Sequence, residues 1–526
     1  MPRRTEIADH ESLTRLRTSV QKAEAEDSLM DSRLRPEPSL PPGPDVCDRQ
    51  GFREKKFTGT QVSIPGRVPD KAKKHPPRRL TGNWSIKGGH ALSYAGLFLF
   101  TVVLYFRPYE YLSSAQWLYS SASWMAILTL IIFIPTQFML EGNVTARPPE
   151  VNLVLLLTIT GLLSIPFAIN STEAWDTFND IFIKAVLMFI VIVNVVRTKL
   201  RLHGLFFLTL VVSCVISFNA VRDYTAGKVT VEGYRIAGTI GGMFANPNDM
   251  ALHLVTVIPI AIVLGLSSRN IALKTLYWLV AALLVAGLTV TYSRGGFLGL
   301  IFVVTVLAWK LGRRNRLAVM LALVVGGVAF IAFAPGNYGL RLSSIFIPGL
   351  DPNGSRGARQ DLLTRSVVVA LRYPLFGVGM GNFHYRGLQE QVSHNAYTQV
   401  AAEMGLAACV IYVKFLLAPL RRLRLIEAAT LSAKKDSYYY YLSVGLQASL
   451  VGFMVSSFFA SVAYHWYIYY LIGYAVCFRR LFESARGVSV DEMLATRKLE
   501  RKRKRAARGL APRTDVLEPG PVRHEY

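Results

Sequence analysis

Repeated apolar stretches of nearly membrane-spanning length constrain the fold of this chain more than any other feature. Of its 526 residues 52% are hydrophobic, and the mean hydropathy is +0.32. Crossing a bilayer core takes about 20 apolar residues of helix, and every backbone polar group there must bond within the chain. The sequence therefore predicts an all-α polytopic membrane protein.

We count about twelve transmembrane helices by apolar length and helical periodicity. They occupy residues 91–106, 117–139, 151–168, 178–196, 203–221, 249–266, 272–292, 296–311, 317–334, 397–420, 439–461 and 464–482.

Positive charges assign an orientation to these spans. Cytoplasmic loops carry an excess of Lys and Arg. The short loops 169–177 and 461–465 contain neither, so we place both outside. Both termini are then cytoplasmic, and loops 222–248 and 335–396 are external. The basic residues that fall on the cytoplasmic side are Arg197, Lys199, Arg201, Arg269, Lys274, Lys310, Arg313, Arg314, Arg316, Arg421, Arg422, Arg424, Lys434, Lys435, Arg479 and Arg480.

The formal net charge of +25 is distributed along the chain. Residues 1–90 hold 18 Lys and Arg against 12 Asp and Glu, and residues 479–526 hold 13 against 7, which is +6 for each segment. Such a distribution argues against a nucleic-acid groove, which needs clustered charge. Basic tails suit anionic lipid headgroups.

Composition divides the chain into three parts. Residues 1–88 are polar and Pro-rich, which predicts a disordered basic cytoplasmic tail without a signal peptide. Residues 89–482 form the transmembrane domain, and residues 483–526 form a basic cytoplasmic tail. The four cysteines lie in a tail or in apolar spans, so we expect no disulfide or zinc site.

The loop at 335–396, between spans nine and ten, is too long to be a simple connection. It contains apolar runs and a predicted helix from Gly357 to Tyr373, so we expect a folded, partly helical cap over a site. Arg359, Arg365 and Arg372 lie on that helix. They either contact lipid headgroups or form a basic wall for an anionic substrate, and we favour the second role for Arg359.

Two further motifs lie at external ends of spans. Asn246-Pro247-Asn248-Asp249 opens span six as a capped helix start, and Arg235 lies just upstream. The motif suits either a well-capped helix or an anion site at a helix N-terminus. Ser293-Arg294-Gly295-Gly296 is a tight turn in which Arg294 either snorkels or binds a ligand. We favour the ligand, because the two glycines permit close backbone approach.

A histidine stands at the start of span ten, in Ser393-His394-Asn395. We place His394 in the first helical turn, with Ser393 as a possible N-cap. An isolated histidine is more often structural, but a neutral imidazole outside the cell can accept a proton. Glu403 follows His394 along the same predicted helix and lies roughly 13 Å deeper in the membrane at the rise of an α-helix. A carboxylate at that depth is costly unless it is paired, so Glu403 requires a partner.

Together these motifs resemble the O-antigen ligase and O-antigen polymerase superfamily of bacterial envelopes. The resemblance covers residues 230–420 and includes Gly242–Asp249, Tyr292–Gly296, Pro374–Gly379 and Ser393–Tyr397, with Glu403-Met404-Gly405-Leu406.

The resemblance implies a GT-C-like, inverting, metal-independent membrane glycosyltransferase without a cofactor. It would transfer a glycan from undecaprenyl diphosphate to an acceptor hydroxyl at the periplasmic face of the bacterial inner membrane. By motif, His394 is the catalytic residue, and Arg235 and Arg294 bind the diphosphate. Supporting candidates are Asn246, Asn248, Arg359, Asn395 and Glu403.

Alternatives within and outside this class stay open. A ligase takes a lipid A core as acceptor, a polymerase takes a growing lipid-linked glycan, and a protein-glycosylating relative is a third form. A twelve-span lipid-glycan transporter or flippase is the alternative from another class. Transporters of that size usually show repeated halves, and we find no internal repeat.

Overall fold

The structure is a computed structural model. It describes residues 89–107, 121–228, 235–238, 242–333, 338–343, 355–387, 391–432 and 437–510. The tail expected at residues 1–88 and the last residues, 511–526, lie outside this part of the chain.

The described residues form a helical protein. In chain order its α-helices, α1 to α16, are Ala91–Phe106, Ser121–Glu141, Pro149–Ser164, Ser171–Val195, Lys199–Thr225, Pro247–Ser267, Ile271–Val290, Arg294–Gly312, Arg316–Phe333, Tyr338–Ser343, Ser355–Arg372, Ala396–Met404, Leu406–Thr430, Ser437–Ser456, Trp466–Arg486 and Val490–Leu510. Helix α4 contains a π-helical segment at Thr177–Phe182, and short 3₁₀ helices lie at Ile165–Phe167, Gly242–Ala245, Asn382–Arg386 and Ser457–Phe459.

Eight segments of the described chain are long and apolar enough to cross a membrane, which agrees with a polytopic membrane protein. They contain α2 to α8 and α14, and α1 and α9 are shorter apolar helices. Helices α12 and α13 together cover the tenth expected span and α15 covers the twelfth, but α13 and α15 carry charged residues. The number twelve therefore stays a prediction.

The tenth span differs from the expected continuous helix at 397–420. It breaks at Gly405, which separates α12 from α13 and has φ 91°. The amide of Leu406 donates instead to the carbonyl of Pro374, at 2.8 Å. The outer loop thus inserts its backbone into the break, and glycine permits the left-handed φ that this requires. Apolar periodicity alone did not reveal this contact between distant parts of the chain.

Helix α6 lies at the centre of the packing. It is buried along most of its length and packs against α7, α8 and α14. Glycines make these contacts close: a Cβ on Gly452 of α14 would lie 2.7 Å from Val255, and one on Gly296 of α8 would lie 2.6 Å from Ala251. Small residues at helix contacts are typical of membrane bundles, where backbones approach closely.

Several basic residues that were expected on the cytoplasmic side form buried ion pairs. Arg479 makes a two-pronged pair with Glu150, with N–O distances of 3.0 and 3.1 Å, and Arg422 approaches the same carboxylate at 3.5 Å. Arg422 also pairs with Asp491 of α16, at 2.8 Å. These pairs join α3, α13, α15 and α16 at one end of the bundle.

Candidate functional site

A cavity of about 250 Å³ lies where α8, α11 and α12 begin and α14 ends. It brings together four of the candidate residues identified in the sequence, which are Arg294, Arg359, His394 and Asn395. Its lining is Arg294, Gly295, Leu298, Arg359, Gln360, Leu363, Ser393, His394, Asn395, Phe458 and Phe459.

Arg294 enters this cavity from the first turn of α8. Ser293 caps the helix, since its hydroxyl accepts from the amide of Gly296 at 3.2 Å, and Tyr292 before it has a left-handed φ of 50°. A Cβ on Gly295 would lie 2.9 Å from Phe459. Gly295 therefore allows α8 to pack closely against Phe459, whereas the close approach to a ligand expected of this glycine stays a prediction.

Arg235 lies behind that turn and is not among the cavity-lining residues. Its side chain is 4% exposed, its Nε donates to the carbonyl of Thr291 at 3.0 Å, and Nη2 donates to Oδ1 of Asn248 at 2.8 Å. Ser293 donates to the same oxygen at 3.0 Å. Arg235 and Asn248 therefore fix the segment that presents Arg294.

Asn246 is the N-cap of α6, as the sequence indicates. Its side chain accepts from the amide of Asn248 at 2.9 Å, and Pro247 follows at the first helical position. The motif holds the start of α6 next to the Thr291–Arg294 turn. The structure thus supports the helix-cap interpretation of Asn246 and gives Asn248 a link to Arg235.

His394 differs from its expected position, because it lies before α12 and not in its first turn. Its φ is 51°, an uncommon left-handed value for a residue with a side chain. Such conformations cost free energy and concentrate at functional sites. Burial, and to a lesser extent the positive charge of Arg359, lower the pKa of His394 from 6.5 to about 4.

Asn395, and not Ser393, is the N-cap of α12. Its Oδ1 accepts from the amides of Tyr397 and Thr398, at 2.9 and 3.1 Å. Within the described chain its Nδ2 is buried without a hydrogen-bond partner, so this donor is available to a ligand in the cavity. Ser393 bonds to Ser461 at 3.1 Å and to the carbonyl of Asn395, which fixes the backbone on both sides of His394.

The helix expected at 357–373 is α11, and its three arginines point to different environments. Arg359 is half-buried in the cavity lining, whereas Arg365 and Arg372 are exposed. The role as a basic wall therefore suits Arg359 alone among these three.

Glu403 lies deep in the protein and ties the outer loop to the bundle. One carboxylate oxygen accepts from the hydroxyl of Tyr464 at 2.7 Å and from the amide of Gly381 at 3.0 Å. The backbone of Val378 and Gly379 bonds to the carbonyls of Ala402 and Glu403. Glu403 is thus a structural anchor below the cavity, and Tyr464 is the partner that the sequence left unnamed.

Several lining residues carry no local motif that would have revealed them. Phe458 and Phe459 belong to the short 3₁₀ helix after α14, and Gln360 and Leu363 follow Arg359 on α11. The only signal near the phenylalanines was an external loop without Lys or Arg, which indicates a side of the membrane and not a site.

Fold and cavity together define a polytopic helical membrane protein with two arginines and one histidine in a single cavity. Residues 279–413 match the family model described as O-antigen ligase, which assigns this part of the chain to the O-antigen ligase-like superfamily. The resemblance drawn from the motifs is thereby confirmed. At the level of the family, this match implies a membrane glycosyltransferase-like enzyme that acts on a lipid-linked glycan and an acceptor.

The matched segment is shorter than the expected 230–420. It contains Arg294, Arg359, His394, Asn395 and Glu403, whereas Arg235, Asn246 and Asn248 precede it, and Phe458 and Phe459 follow it. No curated protein matches the chain.

Proposed function

We propose that this protein transfers a glycan from undecaprenyl diphosphate to an acceptor hydroxyl at the periplasmic face of the bacterial inner membrane. The observation that carries the proposal is the presence of Arg294, Arg359 and His394 in one cavity. Two guanidinium groups match an anionic leaving group, and the imidazole supplies a base.

The proposed reaction is a single inverting displacement. The acceptor oxygen attacks the anomeric carbon and forms the new glycosidic bond, while the bond from that carbon to the diphosphate oxygen breaks. The hydroxyl proton moves to His394, and the leaving diphosphate takes the bonding electrons. Arg294 and Arg359 stabilise its developing charge, as preplaced cations do in a site of low dielectric.

The low pKa of His394 keeps its imidazole neutral at neutral pH, and it also makes the imidazole a weaker base than one whose pKa lies near 7. An imidazole with a pKa of about 4 is neutral at pH 7 and therefore free to accept a proton. With the arginines supplying positive charge to the leaving group, we propose that no divalent metal takes part.

For Arg235 we propose that it positions Arg294 through Thr291 and Asn248, because its bonds reach those residues. Direct contact between Arg235 and the diphosphate stays a prediction from the resemblance. Ligase and polymerase share the chemistry above and differ in the acceptor, and the ligase is our preferred form.

The experiment uses purified protein in proteoliposomes with a labelled lipid-linked glycan and its acceptor. His394→Gln removes the base and should lower the transfer rate by about 10²–10⁴-fold. Arg294→Gln removes a cation from the leaving group and should lower it by about 10²–10³-fold. Chelation of divalent metal should leave the rate of the unaltered protein unchanged.

Arg372→Gln is the matched control, since it removes the same charge from an exposed position of α11 outside the cavity lining. It should transfer glycan at the ordinary rate. Full activity of both cavity variants would refute the proposal, and loss of activity on chelation would refute its metal-free form.

A further inference from the structure

A second, larger cavity of about 730 Å³ runs along α8, between α6, α7 and α9. We call it the α8–α9 groove. Its lining is mostly apolar and follows α8 from Phe297 to Leu311, which is roughly 20 Å at helical rise. Polar side chains such as Arg314 and Asn315 gather at the end away from Phe297. The groove therefore extends through much of the membrane thickness.

The groove is open on its α9 side. A Cβ built on Gly326 or Gly327 of α9 meets no atom within 4 Å, although both residues line the groove. Helix α9 packs mainly against α8 and is exposed along most of its length. A protein that closed this space with its own side chains would bury more of α9.

The groove adjoins the cavity that holds His394. Arg294, Leu298 and Ile301 are spaced i, i+4 and i+7, so they follow one face of α8. Arg294 and Leu298 line the site cavity, and Ile301 lines the groove. Hydrocarbon attached to an anion at Arg294 would therefore reach the groove within two helical turns.

The outer end of the groove carries aromatic side chains. The ring of Phe297 lies 5.8 Å from that of Phe330 and 5.9 Å from that of Tyr338, measured between centroids. Tyr338 is 2% exposed and packs against these rings, and it lines neither the groove nor the site cavity.

We propose that the α8–α9 groove binds the polyprenyl chain of the donor lipid, with the diphosphate at Arg294 and the hydrocarbon running along α8 toward Arg314. This inference rests on the proposed function for the identity of the donor. The competing occupant is an ordinary phospholipid of the cytoplasmic leaflet with its phosphate at Arg314. The continuity with Arg294 at the opposite end favours the polyprenyl chain.

The first test compares two donors that carry the same glycan diphosphate, one on a full-length polyprenyl chain and one on a chain of two isoprene units. Ala322→Trp places a large ring in the groove, and Val325→Trp places the same ring on the exposed side of α9, where Val325 is 60% exposed and does not line the groove.

Ala322→Trp should raise KM for the long donor by about tenfold or more, because buried hydrocarbon contributes strongly to binding. It should leave KM for the short donor unchanged, and Val325→Trp should alter neither value. If Ala322→Trp still transfers glycan and its KM for the long donor is unchanged, the groove does not bind the polyprenyl chain. The proposed function would not be affected by that result.

The second test does not use catalysis. A polyprenyl phosphate with a photoreactive group in its chain is reconstituted with the unaltered protein in phosphatidylglycerol and phosphatidylethanolamine bilayers, and the labelled peptides are identified. Label on α8 and α9, displaced by unlabelled polyprenyl phosphate, supports the proposal. Label elsewhere, or equal displacement by added phospholipid, overturns it. Absence of transfer with either donor would refute the proposed function, and the labelling would still decide what the groove binds.

Discussion

His394 combines a left-handed backbone with a pKa far below that of an exposed histidine. Both properties follow from its surroundings: Ser393 and Asn395 fix the backbone, and burial together with Arg359 disfavours the imidazolium. With a pKa of about 4, the imidazole is neutral at neutral pH.

The pH dependence of transfer should report this pKa. The rate should fall only as pH drops through about 4, where the imidazole becomes protonated. Arg359→Gln removes a cation that disfavours protonation, so the pKa of His394 should rise and the acid limb of the pH–rate profile should move to higher pH. Because burial is the larger cause, the limb should stay below 6.5.

Arg365→Gln is the control for that profile, as it neutralises an exposed arginine on the same helix. Its acid limb should coincide with that of the unaltered protein. An acid limb near 6.5 in the unaltered protein would contradict the assignment of His394 as a buried base, whatever the absolute rates.

Arg235 and Arg294 should differ in what their loss does to the fold. Arg235→Gln removes donors from the Thr291 carbonyl and from Asn248, and a buried group left unpaired costs about 1–3 kcal/mol. We expect a larger fall in Tm in detergent for Arg235→Gln than for Arg294→Gln, together with a loss of transfer in both. Equal Tm values for the two variants, with a selective loss of donor binding in Arg235→Gln, would instead indicate that Arg235 binds the diphosphate directly.

At the scale of elements, the broken tenth span makes α12 a separate short helix that carries Asn395 and Glu403. Gly405 adopts φ 91°, and a Cβ there would collide with the carbonyl oxygens of Pro374 and Leu375. Gly405→Ala should therefore lower Tm strongly and reduce transfer, because α12 and the outer loop lose their shared backbone contacts. Thermal unfolding followed by tryptophan fluorescence measures the fall in Tm.

Gly312→Ala is the matched control, since a Cβ at this position meets no atom within 4 Å. It should leave Tm within a degree or two, as expected for a surface change in a large protein. A small effect of Gly405→Ala would show that the helix break is not held by the outer loop.

The sequence predicted what depends on local pattern and missed what depends on distant contacts. Apolar periodicity located α6, α7 and α8 within a few residues, and turn chemistry singled out Arg294 and His394, which share a cavity. Periodicity did not show the break at Gly405, because its cause is the backbone of Pro374 and Leu375. Nor could spacing place Arg235 behind the Arg294 turn, because that depends on how α6 packs against α8.

At the scale of the whole molecule, the site cavity and the buried ion pairs belong to opposite expected sides of the membrane. Arg294 and His394 follow external segments in the predicted topology, whereas Glu150, Arg422 and Arg479 join helix ends on the cytoplasmic side. A lipid-linked donor must present its diphosphate on the side of the cavity. The orientation of the chain is therefore part of the proposed function.

Cysteine labelling tests this orientation. In a variant without the four native cysteines, Thr172→Cys and Arg365→Cys introduce exposed thiols on segments expected outside, and Arg269→Cys introduces one in a loop expected inside. A membrane-impermeant maleimide added to right-side-out vesicles should label the first two directly and Arg269→Cys only after permeabilisation. Because charge asymmetry sets the orientation, the result bears on all helices at once. If Arg365→Cys is labelled only after permeabilisation, α11 and the cavity that it lines are on the cytoplasmic side. A periplasmic acceptor could not reach His394 there.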